Sequence, residues 1–252
     1  MRFWIMPVGK FSADQTVLDP HASPGNLLNI PVYAYLIESS NGLILYDTGC
    51  SDTCRTHPVR LLGEEFSAVL KPMLMTEDMI VPQLNRIGFT SSDIDLVVNS
   101  HLHFDHAGGN RLFDRNAFIL QEAEWQAAQT DHEQYPDVDA VSINPTMLQL
   151  INGDHQLAPG VHLISTPGHT SGHQSLWVEL DQGPLLVTSD AVYTREQFDP
   201  ERVGSSVDVD QARISVARLL DLQKTTGART FFSHDPQQVQ QESWQLSPLF
   251  YK

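Results

Sequence analysis

The run Ser100-His101-Leu102-His103-Phe104-Asp105-His106-Ala107-Gly108-Gly109 places four metal-binding side chains within six positions. It follows Leu96-Val97-Val98, an apolar stretch that reads as a strand. In an extended segment residues two apart point the same way, so His101 and His103 can share one metal ion. Asp105 and His106 come where the chain must turn at the glycine pair, and they can face a second ion beside the first. Imidazole and carboxylate together suit zinc and its borderline relatives iron, cobalt and manganese. Without a cation, so many ionisable groups on one short loop are hard to accommodate.

Three more residues can complete two coordination shells. His169 sits in Thr166-Pro167-Gly168-His169-Thr170, a turn after the apolar run from Val161 to Ile164. Asp190 ends a hairpin, and His234 ends the last strand that the sequence pattern predicts. Each alone could be a turn residue or a helix cap. Their shared position at strand ends points instead to ligands, and a carboxylate lying between two metals, Asp190, can bridge them.

The elements that must position these groups recur in two halves. Tyr35 to Glu38, a turn at Asn41-Gly42, and Leu43 to Asp47 read as a β-hairpin whose second strand ends on an aspartate. Leu176 to Glu179, a turn at Gln182-Gly183, and Leu185 to Asp190 repeat that pattern. Each half then carries a helix and a short apolar strand ending in Ser-His, at Ser100-His101 and Ser233-His234. Ile80, Leu84 and Ile87 have helical spacing behind Thr76 as N-cap. A second helix spans 210–226, with Asp210 as cap, Val216 and Leu220 on one face, and Gly227 as its stop. The pattern predicts an α/β fold of two related halves: a four-layer αββα sandwich, with helices outside and one domain over 1–252.

Composition narrows the function classes. The 252 residues carry a formal charge of −16, which repels phosphate backbones and anionic lipid surfaces at long range. No nucleic-acid partner is expected. No run of eighteen apolar residues occurs, so no membrane span is expected either. With no export signal read at the N-terminus, the expected compartment is the cytoplasm. Cys50 and Cys54 read as two unpaired thiols there. The oligomeric state is not legible. His21, His57, His132, His155, His162 and His173 read as structural or solvated.

Taken together, the motif from His101 to Asn110, Pro167-Gly168-His169 with Gly172 to Leu176, Asp190-Ala191 with Tyr193-Thr194, and Phe231-Phe232 with His234-Asp235 resemble the metallo-β-lactamase superfamily. Within it the likeness is greatest to the N-acyl homoserine lactonases, which open quorum-sensing lactones. Pro24-Gly25 and Leu27-Leu28-Asn29 look lactonase-like as well. The resemblance covers nearly the whole chain and is weakest from Cys50 to Met75.

The resemblance implies two Zn²⁺ per chain, with Co, Mn or Fe as substitutes. It puts His101, His103 and His169 on the first metal, Asp105, His106 and His234 on the second, and Asp190 between them. It makes Tyr193 the hydroxyl that assists the substrate carbonyl, and Asp47 a supporting aspartate that is not a ligand. Phe104 is expected to line the site wall, and Leu62 and Phe66 to contribute to an acyl pocket. The implied reaction is attack of a metal-bridging hydroxide on a lactone carbonyl, with Asp105 passing a proton to the leaving oxygen.

Other readings share parts of this pattern. A lactonase for another ring, such as 4-pyridoxolactone, would use the same metals in a compact polar pocket. A scaffold that binds metal without turnover would keep the ligands alone. Glyoxalase II adds a C-terminal helical region, which is not expected in the eighteen residues after His234. A secreted β-lactamase needs an export signal, and a tRNA-processing nuclease sits poorly with the acidic charge.

Overall fold

The computed structural model describes residues 1–238 and 249–251. Its strands are β1 (Arg2–Asp14), β2 (Leu27–Ser39), β3 (Gly42–Tyr46), β4 (Leu70–Met73), β5 (Leu96–Val98), β6 (Ala117–Gln121), β7 (Leu148–Ile151), β8 (His155–Ala158), β9 (Val161–Ser165), β10 (Gln174–Leu180), β11 (Gly183–Val187), β12 (Arg229–Phe231) and β13 (Leu249–Tyr251). The α-helices are α1 (Asp52–Thr56), α2 (Pro58–Val69), α3 (Ile80–Arg86), α4 (Phe104–Ala107), α5 (Glu122–Thr130) and α6 (Val209–Thr226). The strands form two sheets. An eight-stranded sheet runs β13-β1-β2-β3-β5-β6-β7 with β4 on β1, and a five-stranded sheet runs β12-β11-β10-β9-β8.

Side chains that alternate along each strand sort into separate cores. Phe3 and Ile5 of β1, Tyr35 and Ile37 of β2, and Ile44 and Tyr46 of β3 meet Leu176, Val178, Leu185 and Val187 between the sheets. Trp4, Met6, Leu36 and Leu45 face the other way and pack with Ile80 and Leu84 of α3 and Ala128 of α5. Trp177 and Leu186 face outward from the smaller sheet onto Val216 and Leu219 of α6. Three cores separating four layers make the αββα sandwich that the duplicated pattern predicts.

The two halves repeat in register. β2 and β3 form an antiparallel hairpin, and β5 pairs parallel with β3, Val98 opposite Tyr46. β10 and β11 form the second hairpin, and β12 pairs parallel with β11, Phe231 opposite Val187. His101 and His234 therefore each stand three residues beyond equivalent strand ends.

The differences from the sequence reading are local. The cap of α6 is Asp208, whose side chain accepts the Gln211 N–H, and Asp210 lies within the first turn. Both aspartates precede the same apolar face, and the cap is the one with extended backbone. Leu219 rather than Leu220 is fully buried on that face, and Gly227 stops the helix at φ 69. Thr76 opens a short 3-10 turn, and α3 starts after Met79. β12 is not the last strand, because β13 follows it and pairs with β1. The two aspartates after the hairpins are not equivalent either. Asp47 directly follows β3, whereas Asp190 lies in a 3-10 turn beyond β11.

Candidate metal centre

All seven sequence-predicted ligands meet at one edge of the sandwich. Ligand atoms of His101, His103, His169 and Asp190 lie within 4.8 Å of one another, and those of Asp105, His106 and His234 form a second such group. In the first group His101 Nε2 is 3.0 Å from His103 Nδ1, and His169 Nε2 is 3.2 and 3.0 Å from those two atoms. Asp190 joins the groups. Its Oδ2 is 3.4 Å from His169 Nε2, and its Oδ1 is 3.2 Å from His106 Nε2 and 3.1 Å from His234 Nε2.

The outward-facing ring nitrogens fix which atoms point inward. His169 Nδ1 donates to Ser205 O at 2.9 Å and His234 Nδ1 to Pro31 O at 2.7 Å. His106 Nδ1 faces Asp47 Oδ2 at 2.9 Å, and His101 Nδ1 faces Ser100 Oγ at 2.9 Å. Each of these four rings thus turns an Nε2 lone pair inward, as outer hydrogen bonds do for metal-ligating histidines. Lone pairs facing one another, and Asp190 Oδ1 buried without a donor, call for a cation. The 3.0–3.2 Å spacings fit as well, since a tetrahedral shell with bonds of about 2.0 Å has ligand atoms roughly 3.3 Å apart. The residues present fit a pair of divalent metals.

Electrostatics follow burial and neighbours. Burial and the surrounding histidines hold His101 and His103 well below the ordinary imidazole range. Burial alone would lower His106 too, but the Asp190 and Asp105 carboxylates raise it well above that range, so they favour a positive charge at Nε2, a proton or the metal that would replace it. Asp190 opposes its own burial through His106 and His234, which hold its carboxyl well below the usual carboxylate range.

Asp47 is fully buried and accepts the Ser100 N–H at 2.7 Å and the Ser100 hydroxyl at 2.8 Å, besides facing His106. Asp47 has φ 62, one of two non-glycine residues with a left-handed backbone among the described residues. The other, Ser189 at φ 47, adjoins Asp190. Strain of this kind persists where surrounding contacts hold it, here beside both metal groups.

A cleft of about 790 Å³ opens above the two groups. His103, Asp105, His169, Asp190, Tyr193 and His234 line its floor. Phe104, Phe11, Leu62 and Phe66 line its walls. Phe104 packs edge-on against both Phe11 and Phe66, so three aromatic rings make one surface. α2 breaks at Gly63, where φ 75 and ψ 167 interrupt the helix between Leu62 and Phe66. Tyr193 packs against His169, and its hydroxyl donates to Ser205 O at 3.1 Å. Burial and the Asp190 and Asp105 carboxylates push its phenol well up, so it stays protonated.

Two further buried residues support the site. His173 is fully buried, and its Nε2 accepts the backbone N–H of Asp190 at 3.0 Å while Nδ1 meets Thr166 Oγ1 at 2.9 Å. Burial and His169 push it down to about 3, which keeps it neutral for that role. Glu124 is fully buried on α5 and accepts from both ligand-bearing loops. No spacing or motif in the sequence singles it out.

Comparison with known proteins agrees with this geometry. Residues 29–234 match the metallo-beta-lactamase superfamily. An N-acyl homoserine lactonase of Bacillus cereus is 37% identical over 238 residues, 94% of each chain. N-acyl homoserine lactonase AiiB of Agrobacterium fabrum is 29% identical over 94% of each. The structure of an N-acyl homoserine lactone hydrolase with the product N-hexanoyl-L-homoserine at its catalytic metal center superposes with TM-score 0.87, at 36% identity over 95% of each chain. A variant of B. thuringiensis AiiA with N-decanoyl-L-homoserine bound at the active site gives 0.88, at 36% identity over 95% of each. Family and donor set make this a divalent-metal site. The chain belongs to the metallo-β-lactamase superfamily and, within it, to the N-acyl homoserine lactonase family.

Proposed function

We propose that this protein is a dinuclear zinc lactonase that opens the ring of N-acyl homoserine lactones, a quorum-quenching reaction. The observation that carries the proposal is the pair of donor groups joined by Asp190 at the floor of an apolar-walled cleft. His101, His103 and His169 would hold one metal, Asp105, His106 and His234 the other, and Asp190 both. When bound, such a pair supplies Lewis acidity and lowers the pKa of water toward neutrality.

The chain's own groups do the rest. Tyr193, kept protonated, would turn its single O–H from Ser205 O to a lactone carbonyl at the cleft floor as that carbonyl gains negative charge. Asp105, with 13% of its side chain exposed, faces the cleft and can carry a proton to the leaving ring oxygen. Phe104, Leu62 and Phe66 give the acyl chain an apolar wall and shed water from it. That wall favours an acylated lactone over a compact polar ring such as 4-pyridoxolactone. Two free buried thiols suit work in the cytoplasm. Among the described residues no helix is long and apolar enough to cross a membrane.

A pH-indicator assay tests the reading. Metal-loaded and chelated protein would meet N-acyl homoserine lactones of short and long chain, 4-pyridoxolactone and a simple γ-lactone. Metal-dependent opening that favours the acylated rings is expected. Turnover of the unacylated rings alone would contradict the substrate reading.

A further inference from the structure

Glu124 stands outside the metal groups yet touches both loops that build the first of them. Its Oε1 accepts the backbone N–H of Leu102, the residue between His101 and His103, at 2.9 Å. Its Oε2 accepts the Thr170 hydroxyl at 2.6 Å and the Gly172 N–H at 3.0 Å. Thr170 follows His169 directly. One side chain thus bridges the loop carrying two of the donor nitrogens and the loop carrying the third.

The surroundings are built for that contact. Glu124, Leu102 and Thr170 are all fully buried. A Cβ on Gly172 would come within 2.6 Å of the Glu124 Cβ, so only glycine lets the second loop approach α5 this closely. A buried carboxylate is costly unless donors surround it, and here both ligand loops supply them. Asp47 makes the corresponding arrangement at the second group, where it takes Ser100 N–H, Ser100 Oγ and His106.

We infer that Glu124 is a positioning residue for the first metal, holding His101 and His103 against His169 at ligand spacing. The inference rests on the reading of that group as a metal site. Neither Glu124 nor its donors touches the cleft, so its effect must pass through the donor geometry.

The test compares wild type, Glu124→Gln and Thr170→Val by metal content after dialysis against a competing chelator, and by the visible spectrum of cobalt-loaded protein. Glu124→Gln keeps the shape but turns an amide toward backbone and hydroxyl donors. It should weaken one of the two metals by about 10–100-fold, as loss of an outer partner does, and leave the other held. The cobalt bands of that site should shift. Thr170→Val, which removes a single donor, should do the same to a smaller extent and keeps the test open if the glutamine variant folds poorly.

Two metals held at wild-type affinity with unchanged cobalt bands in both variants would overturn the inference, even with a lowered melting temperature. Fewer than two metals in the wild type would remove the two-site reading first, and the positioning role with it.

Discussion

The two halves of the sandwich offer the same frame and use it differently. In the first, the Asp47 N–H donates to Val98 O at 2.8 Å beside the strand end that leads to His101. In the second, the Thr188 N–H donates to Phe231 O at 3.1 Å beside the strand end that leads to His234. The frame thus sets one histidine per half at equivalent points. The following loops diverge: the first adds His103, Asp105 and His106, and the second half adds its carboxylate from the hairpin side, as Asp190. Asp47 and Thr188 occupy the same place, but only Asp47 supports a ligand. A duplicated frame decides where ligands can stand, and the loops beyond it decide what chemistry stands there.

Removing the equivalent histidines is the hardest test of that symmetry. His101→Ala and His234→Ala should each lower lactone turnover by more than about 100-fold, beyond the cost of losing an outer partner. Metal analysis should show one weakened site in each variant. A variant that turns over normally would show that its half contributes only frame.

The supporting positions should separate the halves. Asp47→Asn should weaken metal binding by about 10–100-fold, because it disturbs His106 and Ser100 together. Thr188→Val at the equivalent point loses the hydroxyl bond to Val192 O. It should cost about 1 kcal/mol in denaturant unfolding and leave metal content intact. Equal metal loss in both would erase the distinction drawn between them.

Tyr193 belongs to the second half alone. Tyr193→Phe should lower kcat by about tenfold with metal content unchanged, since a single hydrogen bond to a developing charge is lost. Unchanged turnover at saturating substrate would make the ring a wall residue only.

The smallest effect concerns the helix that covers the second half. Asp208→Ala removes the α6 cap and should cost about 1 kcal/mol of stability, with Asp210→Ala nearly neutral. The reverse order would return the cap to Asp210.

The metal groups were legible because their donors are crowded into one short run and three strand-end positions, which few other structures require. The sandwich was legible through the hairpins and the repeated Ser-His strands. The contacts of Glu124 and of His173, which lies in the Gly172 to Leu176 motif and reads as structural or solvated from sequence alone, were not, since their partners lie 22 to 48 and 7 to 17 residues away. A sequence shows neither contact. The aspartates after the two hairpins looked equivalent because both follow an apolar strand. Only strand register reveals that Thr188 is the counterpart of Asp47. The choice between Asp208 and Asp210 turned on backbone conformation at two similar residues.

A stepwise zinc titration of metal-free protein, with opening of N-hexanoyl homoserine lactone followed at each addition, tests the central claim most directly. Activity should rise until two equivalents are bound and then stay level, with both halves needed. Full activity at one equivalent, or turnover untouched by chelation, would contradict a site assembled from two halves around two metals.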